Sequence, residues 1–189
     1  MRAIIFLMRT VILLICLSGP VFAQAKDTCP VAPDYTERKA ELLRDLRITR
    51  DGTDARVISD DLWRIWTEAP DDKAQDLLDR GIAALQHQDF ATSIAVLSEL
   101  VTYCPDYAEG WNQRAFAAYL RGDHTSALSD LDHALSIDPK HVAALSGKAL
   151  TLMQLGRNDE AQLVLRDAVH LNPWLGERAL LTIPLGTDI

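Results

Sequence analysis

Residues 108–141 read AEGWNQRAFAAYLRGDHTSALSDLDHALSIDPKH, a helical stretch, a turn at Gly122, and a second helical stretch stopped by Asp138-Pro139. The same pattern lies on either side of it. Pro105, Pro139 and Pro173 stand 34 residues apart, and so do Arg80, Arg114 and Lys148. A fixed period of this length marks a repeat architecture, in which each unit is too small to bury its apolar face alone and stacks on its neighbours to do so. Three units follow from the period, at 74–107, 108–141 and 142–175.

A sustained 34-residue period with helix–turn–helix content resembles the tetratricopeptide repeat. The resemblance implies an all-α fold, a right-handed α-solenoid, and a non-enzymatic protein-interaction module. It also assigns positions. Small residues belong where the two helices of a repeat cross most closely, and here stand Gly81 and Ser93, then Ala115, Ala127 and Ala134, then Ala149, Ala161 and Ala168. A large side chain at a close crossing forces the helix axes apart. The signature tryptophan position is filled by Leu77, Trp111 and Leu145, and the turn position by Gln88, Gly122 and Gly156. Glycine fits such a turn because a helix end commonly needs a left-handed backbone. The first repeat departs most, with Gln88 for glycine and Leu100 where alanine is usual.

In this family the first helix of each repeat lines a concave groove. The positions implied to face a ligand are Leu78, Ile82, Leu85 and Gln86, then Asn112, Phe116, Tyr119 and Leu120, then Ser146, Leu150, Met153 and Gln154. Members that grip a peptide's C-terminal carboxylate place lysine, arginine and asparagine there, and this chain has only Asn112. What remains is a mostly apolar strip, suited to an amphipathic helix or an extended apolar peptide. Two arrangements stay open. Either the strip receives another protein or peptide, or it is filled by the chain itself or by a second copy in a homo-oligomer.

Ahead of the repeats, Leu42, Leu43 and Leu46 fall on one helical face, Asp51-Gly52 makes a turn, and Val57, Ile58, Leu62, Ile65 and Trp66 recur at three- and four-residue spacings before Pro70. Residues 34–70 thus occupy the place of a degenerate first repeat, with the expected role of a cap. Residues 24–33, with Pro30 and Pro33, read as an extended lead-in. After Pro173, residues 174–182 begin one more helix before Pro184, expected to form a C-terminal cap with the tail to 189.

The N-terminus reads as an export signal. Arg2 and Arg9 supply positive charge, residues 11–17 form a short apolar core, Gly19-Pro20 breaks it, and Val21-Phe22-Ala23 offers a cleavage site, making 1–23 a signal peptide. A retained anchor is the alternative, but Arg9 and Pro20 cut the apolar run below the roughly 20 residues that span a bilayer. A lipoprotein reading through Cys16 fails on Ile15, which stands where a small residue is needed. The expected location is therefore periplasmic or secreted, with no stable membrane insertion after cleavage. Cys29 and Cys104 remain, and two cysteines in an exported chain invite a disulfide, the alternative being two unrelated thiols.

Composition excludes other classes. The formal charge is −8, with 27 acidic against 19 basic residues and no Lys/Arg run, so nucleic acid is repelled. No HExxH, CxxC, GxSxG or glycine-rich phosphate loop occurs. Ser129 and His133, with Asp130 and Asp132 beside them, share a helical face, but the repeat frame places that face on the outer helix in solvent. The other histidines are scattered singly, and the 51–54 stretch lacks most calcium ligands. No catalytic residue, metal site or cofactor is expected.

Overall fold

The computed structural model describes residues 28–182. The expected signal peptide, the first lead-in residues and the tail from 183 lie outside the described residues. Within them the chain is all α-helical: α1 Thr36–Ile48, α2 Gly52–Thr67, α3 Asp72–Gln86, α4 Phe90–Tyr103, α5 Ala108–Leu120, α6 His124–Ile137, α7 Val142–Gln154, α8 Asn158–Leu171, and a 3-10 helix Gly176–Leu180. No strand is present among the described residues.

Helix starts follow local chemistry. The side chains of Asp51, Asp71, Asp89 and Asp123 accept backbone N–H groups in the first turns of α2, α3, α4 and α6. Helix ends follow backbone chemistry. Gly122 and Gly156 adopt φ of 87° and 74°, and Gln88 takes φ 59° at the same point of the first repeat. The left-handed residue lets the next N–H reach back into the helix, Asp89 to the Ala84 carbonyl and Asp123 to that of Ala118, each at 2.9 Å.

The close crossings are filled by small side chains. Ser93, Ala115, Ala127, Ala134, Ala149, Ala161 and Ala168 are all fully buried. A Cβ on Gly81 would lie 2.6 Å from Leu97, and the Ser93 hydroxyl donates to the Gly81 carbonyl at 2.9 Å. Leu100, large where Ala134 stands one period later, is accommodated by Gly110, whose absent Cβ would meet it at 3.2 Å. The later equivalents, Ala134 and Ala144, pack together as two small residues. Volume is exchanged across the interface, so the repeat spacing survives. Each helix from α3 to α8 packs on the next, with α3 also touching α5 and α5 touching α7, as stacked repeats require.

The N-terminal pair corrects the expectation of a cap. Helices α1 and α2 do not stack on α3. Trp66 stands one period before Leu100, and exposed Asp76 one period before Gly110. An indole facing a carboxylate cannot make the close, dry crossing that Leu100 and Gly110 make. The pair turns instead across the edge formed by the inter-repeat loops, with α2 against α5 and α1 against α8. Leu42, Leu43, Leu46, Ala55, Leu62 and Trp66 close around Val142, joined by partly buried Leu171, Trp174 and Leu175. The Trp174 indole donates to the Leu46 carbonyl at 3.2 Å. The pair is a strap reaching from the first repeat to the third.

Polar contacts hold it at mid-length. Asp138, after α6, receives the Lys39 ammonium at 2.6 Å and the Trp66 indole N–H at 3.1 Å. Trp66 stacks on His141 with ring centroids 4.4 Å apart, and its carbonyl accepts the Tyr107 hydroxyl at 2.8 Å. Burial pushes the Tyr107 phenol far above its ordinary value, so it remains a donor. Burial alone would raise the Asp138 carboxyl too, but the Lys39 ammonium, His141 and the Trp66 N–H more than offset it and hold it below the ordinary range. Cys29 and Cys104 are joined, with Cα atoms 5.1 Å apart and a sequence separation of 75. A loop of this size stabilises by about 4 kcal/mol through the unfolded chain. The expected C-terminal capping helix is a single short 3-10 helix, and Leu175 and Leu181 cover Leu165 and Val169 at the end of α8.

Gln88→Gly should raise stability by about 0.5–1 kcal/mol in urea titrations, since it relieves a left-handed side-chain clash worth roughly 1–2 kcal/mol and adds some unfolded-state freedom. Ala127→Leu at a filled crossing should lower it by about 1–3 kcal/mol, while Ser129→Leu two residues away on the surface changes it by about 0.5 kcal/mol or less. Because the Asp138 carboxyl is depressed in the folded state, its contribution is complete above the ordinary carboxyl range, about pH 4, and is lost as pH falls through its lower folded value. Asp138→Asn should therefore lower stability by about 2 kcal/mol at pH 7 and leave the variant and the parent converging in acid, read from pH-dependent melts.

Candidate functional site

The 34-residue period sets the inner helices α3, α5 and α7 side by side and aligns their side chains in rows. The first row is Leu78, Asn112 and Ser146, and all three are buried. The second is Ile82, Phe116 and Leu150. Phe116 is 50% exposed and its two neighbours are half-buried. The third is Leu85, buried, with Tyr119 and Met153 half-buried. The fourth is Gln86, Leu120 and Gln154, all exposed. Accessible apolar surface therefore runs through Ile82, Phe116, Leu120, Leu150 and Met153, with a glutamine at either end of the outermost row.

Leu78, Leu85 and Asn112 correct the groove expected from the sequence. Leu78 is drawn into the first-repeat core with Leu97, Leu100 and Tyr107. Asn112 is turned to the Glu109 carboxylate, to which it donates at 3.0 Å. Tyr119 packs its ring against His124 at 5.2 Å. The strip that faces outward carries no cation, so it offers nothing to a peptide carboxylate.

Beneath Trp66 lies a polar floor that the sequence reading missed. Glu109 and His141 are fully buried, 2.9 Å apart between Oε2 and Nε2. Glu109 also accepts from Gln113 at 2.6 Å. His141 caps α7, its Nδ1 accepting the Ala144 N–H at 3.3 Å, which leaves the ring proton on Nε2. Nε2 lies beside the Glu109 carboxylate, and the Ser146 hydroxyl is buried without a hydrogen-bond partner among the described residues. The signal was present in outline: a histidine at a helix start and a glutamate in the first turn of the preceding inner helix. Nothing in their spacing indicated that they meet.

No catalytic arrangement forms on the outer helices. Ser129 and His133 are exposed, and the His133 ring leans on Trp111 at 3.9 Å. Asp130 corrects the expectation of a solvated face: it is buried and held by Arg114 through two hydrogen bonds of 2.8 Å. Lys148, one period after Arg114, pairs back to Asp132 on α6 at 2.6 Å, so both of these basic positions hold an acidic residue of the same outer helix. Among the described residues no three His, Cys, Asp or Glu side chains converge as metal ligands, and no helix is long and apolar enough to cross a membrane.

Comparison with known proteins bears on this arrangement. Two family models described as tetratricopeptide repeat match residues 78–142 and 118–173, together about half of the chain. A TPR repeat-containing protein of Rhizobium etli is 31% identical over 127 residues, covering 67% of this chain and 62% of that one. Tetratricopeptide repeat protein 36 of Xenopus tropicalis is 32% identical over 117 residues, covering 59% and 57%. The chain thus spans about three fifths of the length of these relatives. Among solved structures, the Arabidopsis OM64 TPR domain superposes with a TM-score of 0.56 at 22% identity, covering 57% of this chain and 89% of that one. The first TPR of Spaghetti (RPAP3), bound to an HSP90 peptide, gives 0.55 at 20% identity, covering 56% and 83%. Both likenesses are of fold. With these matches, a 34-residue period and left-handed turns at one point of every repeat, the chain belongs to the tetratricopeptide repeat family.

Proposed function

We propose that this protein is an exported, non-enzymatic adaptor that holds an apolar segment of another protein on the open part of its concave face. The observation that carries the reading is Phe116. It is a large aromatic side chain at the centre of the inner layer, half exposed, flanked by Ile82 and Leu150 and followed by exposed Leu120. Central aromatic residues of this kind dominate the energy of many interfaces. The uncharged strip favours an amphipathic helix or extended apolar peptide over an acidic tail. The peptide-bound state of a structural neighbour, the Spaghetti TPR, supports a peptide-binding role for this chain.

Export to the periplasm rests on the N-terminal charge, apolar core and cleavage site, and the paired Cys29 and Cys104 support an oxidising compartment. The bacterial relative from Rhizobium etli is in keeping with it. The alternative reading is a self-associating structural subunit of an envelope complex, with the strip filled by a second copy. The strap supports it in one respect, because α1 and α2 already pack against the edge of the repeats at Val142.

A photo-crosslinking side chain at Leu120 should capture a partner in the envelope fraction, while the same group at exposed Leu163 on α8 should not. Equal capture at both positions would sink the groove as the working surface. Phe116→Ala should change stability by about 1 kcal/mol or less and weaken partner binding roughly 10–100-fold. Light scattering separates the two readings: a monomer supports the adaptor, and a dimer that Phe116→Ala dissociates supports the structural subunit.

A further inference from the structure

The strap is fastened to the repeats in an asymmetric way. Both of its chain attachments are at the first repeat: the bond from Cys29 to Cys104 at the end of α4, and residues 68–71, which lead directly into α3. Its other end, the turn between α1 and α2, reaches the third repeat, where Trp174 donates to the Leu46 carbonyl and lies against Gly52. That far contact has no covalent link. Two fixed points at one end and a non-covalent contact at the other make a hinge.

The cores divide along the same line. The apolar cluster of α1 and α2 takes one fully buried residue from the repeats, Val142, with partly buried Leu171, Trp174 and Leu175. The clusters of the three repeats contain no side chain from α1 or α2. Lifting the strap therefore leaves the solenoid's own packing in place, and the hairpin keeps most of its internal contacts.

The surface it covers is apolar at Val142, Leu171, Trp174 and Leu175 and polar under Trp66. Trp66 stacks on buried His141, whose Nε2 lies 2.9 Å from buried Glu109, and buried Asn112 donates to the same carboxylate. A permanently closed contact is tightest when apolar, because buried polar groups stabilise little even when paired and oppose burial when not. A floor of carboxylate, amide and imidazole suits a surface that also meets water, as transient interfaces do. This floor adjoins Phe116 on the same inner helix α5.

We infer that α1 and α2 form a hinged strap that opens as a unit without unfolding the repeats, extending the concave strip onto Glu109, Asn112 and His141. Closed, it is locked by Lys39 and Trp66 on Asp138 and by the Trp66 stack on His141. The inference does not rest on any partner, and its test uses none.

Native-state hydrogen exchange on the full oxidised protein at neutral pH reads the opening through the lifted hairpin, because two helices of 13 and 16 residues without the repeats to pack on are marginal and exchange their amides from that state. Amides of α1 and α2 should exchange at least tenfold faster than those of α4 and α6, which the strap does not cover. Lys39→Met removes one arm of the lock from the surface of α1. Trp66→Phe removes the indole N–H and keeps the ring. Each should speed exchange in α1 and α2 by a further tenfold or more and leave α4 and α6 unchanged. Exchange of α1 and α2 at the rate of α4 and α6, or acceleration of all helices alike in the variants, would overturn the inference, because the strap would then open only with global unfolding.

Discussion

The structure turns on where one indole can go. Trp66 ends a helix that the 34-residue period places in register with α4 and α6, at the position where α4 carries Leu100 and α6 carries Ala134. Repeats of this kind stack only if that position and the one facing it are together small and dry. Trp66 opposite Asp76 is neither. The indole instead finds an anion for its N–H in Asp138 and an aromatic face in His141, on the far side of the second repeat. Everything that distinguishes this chain from a plain three-repeat solenoid follows from that displacement: the strap, the polar floor beneath it, and the division of the inner surface into covered and open halves.

The repeats themselves solve a simpler problem. Their interfaces conserve total volume more strictly than residue identity, as the Leu100–Gly110 and Ala134–Ala144 exchanges show. Their turns conserve backbone conformation more strictly than side chain, as Gln88 shows by adopting a left-handed φ that glycine takes elsewhere. Ion pairs such as Arg114–Asp130 sit at the shoulders of the helices, where bidentate geometry orients neighbours even though partly exposed pairs contribute little stability.

Much of the fold was legible in the sequence because the period repeats the same physical question three times, and three answers in phase leave little freedom. The strap's placement was not read, although its clues were present. Comparing Trp66 with Leu100 and Asp76 with Gly110 in register would have excluded stacking before any coordinates. The rows of the inner surface were legible as positions and not as exposures. Burial of Leu78, Leu85 and Asn112 depends on how closely α3, α5 and α7 approach and on what lies over them. The Glu109–His141 contact was illegible for a different reason. It joins two helix starts brought together by stacking, a juxtaposition that no local spacing encodes.

A solenoid has no intrinsic length, since each unit meets only its neighbours and another can always be added. This one has acquired a ruler. Helices α1 and α2 span 13 and 16 residues, or about 20 and 24 Å at 1.5 Å per residue, and that reach runs from the disulfide at the first repeat to Trp174 at the end of the third. A duplicated repeat would carry Trp174 out of range of Leu46, and a deleted one would drive it into α1. The strap thus converts a modular array, free to lengthen or shorten by whole units, into an object of fixed size that can change only by changing both parts together.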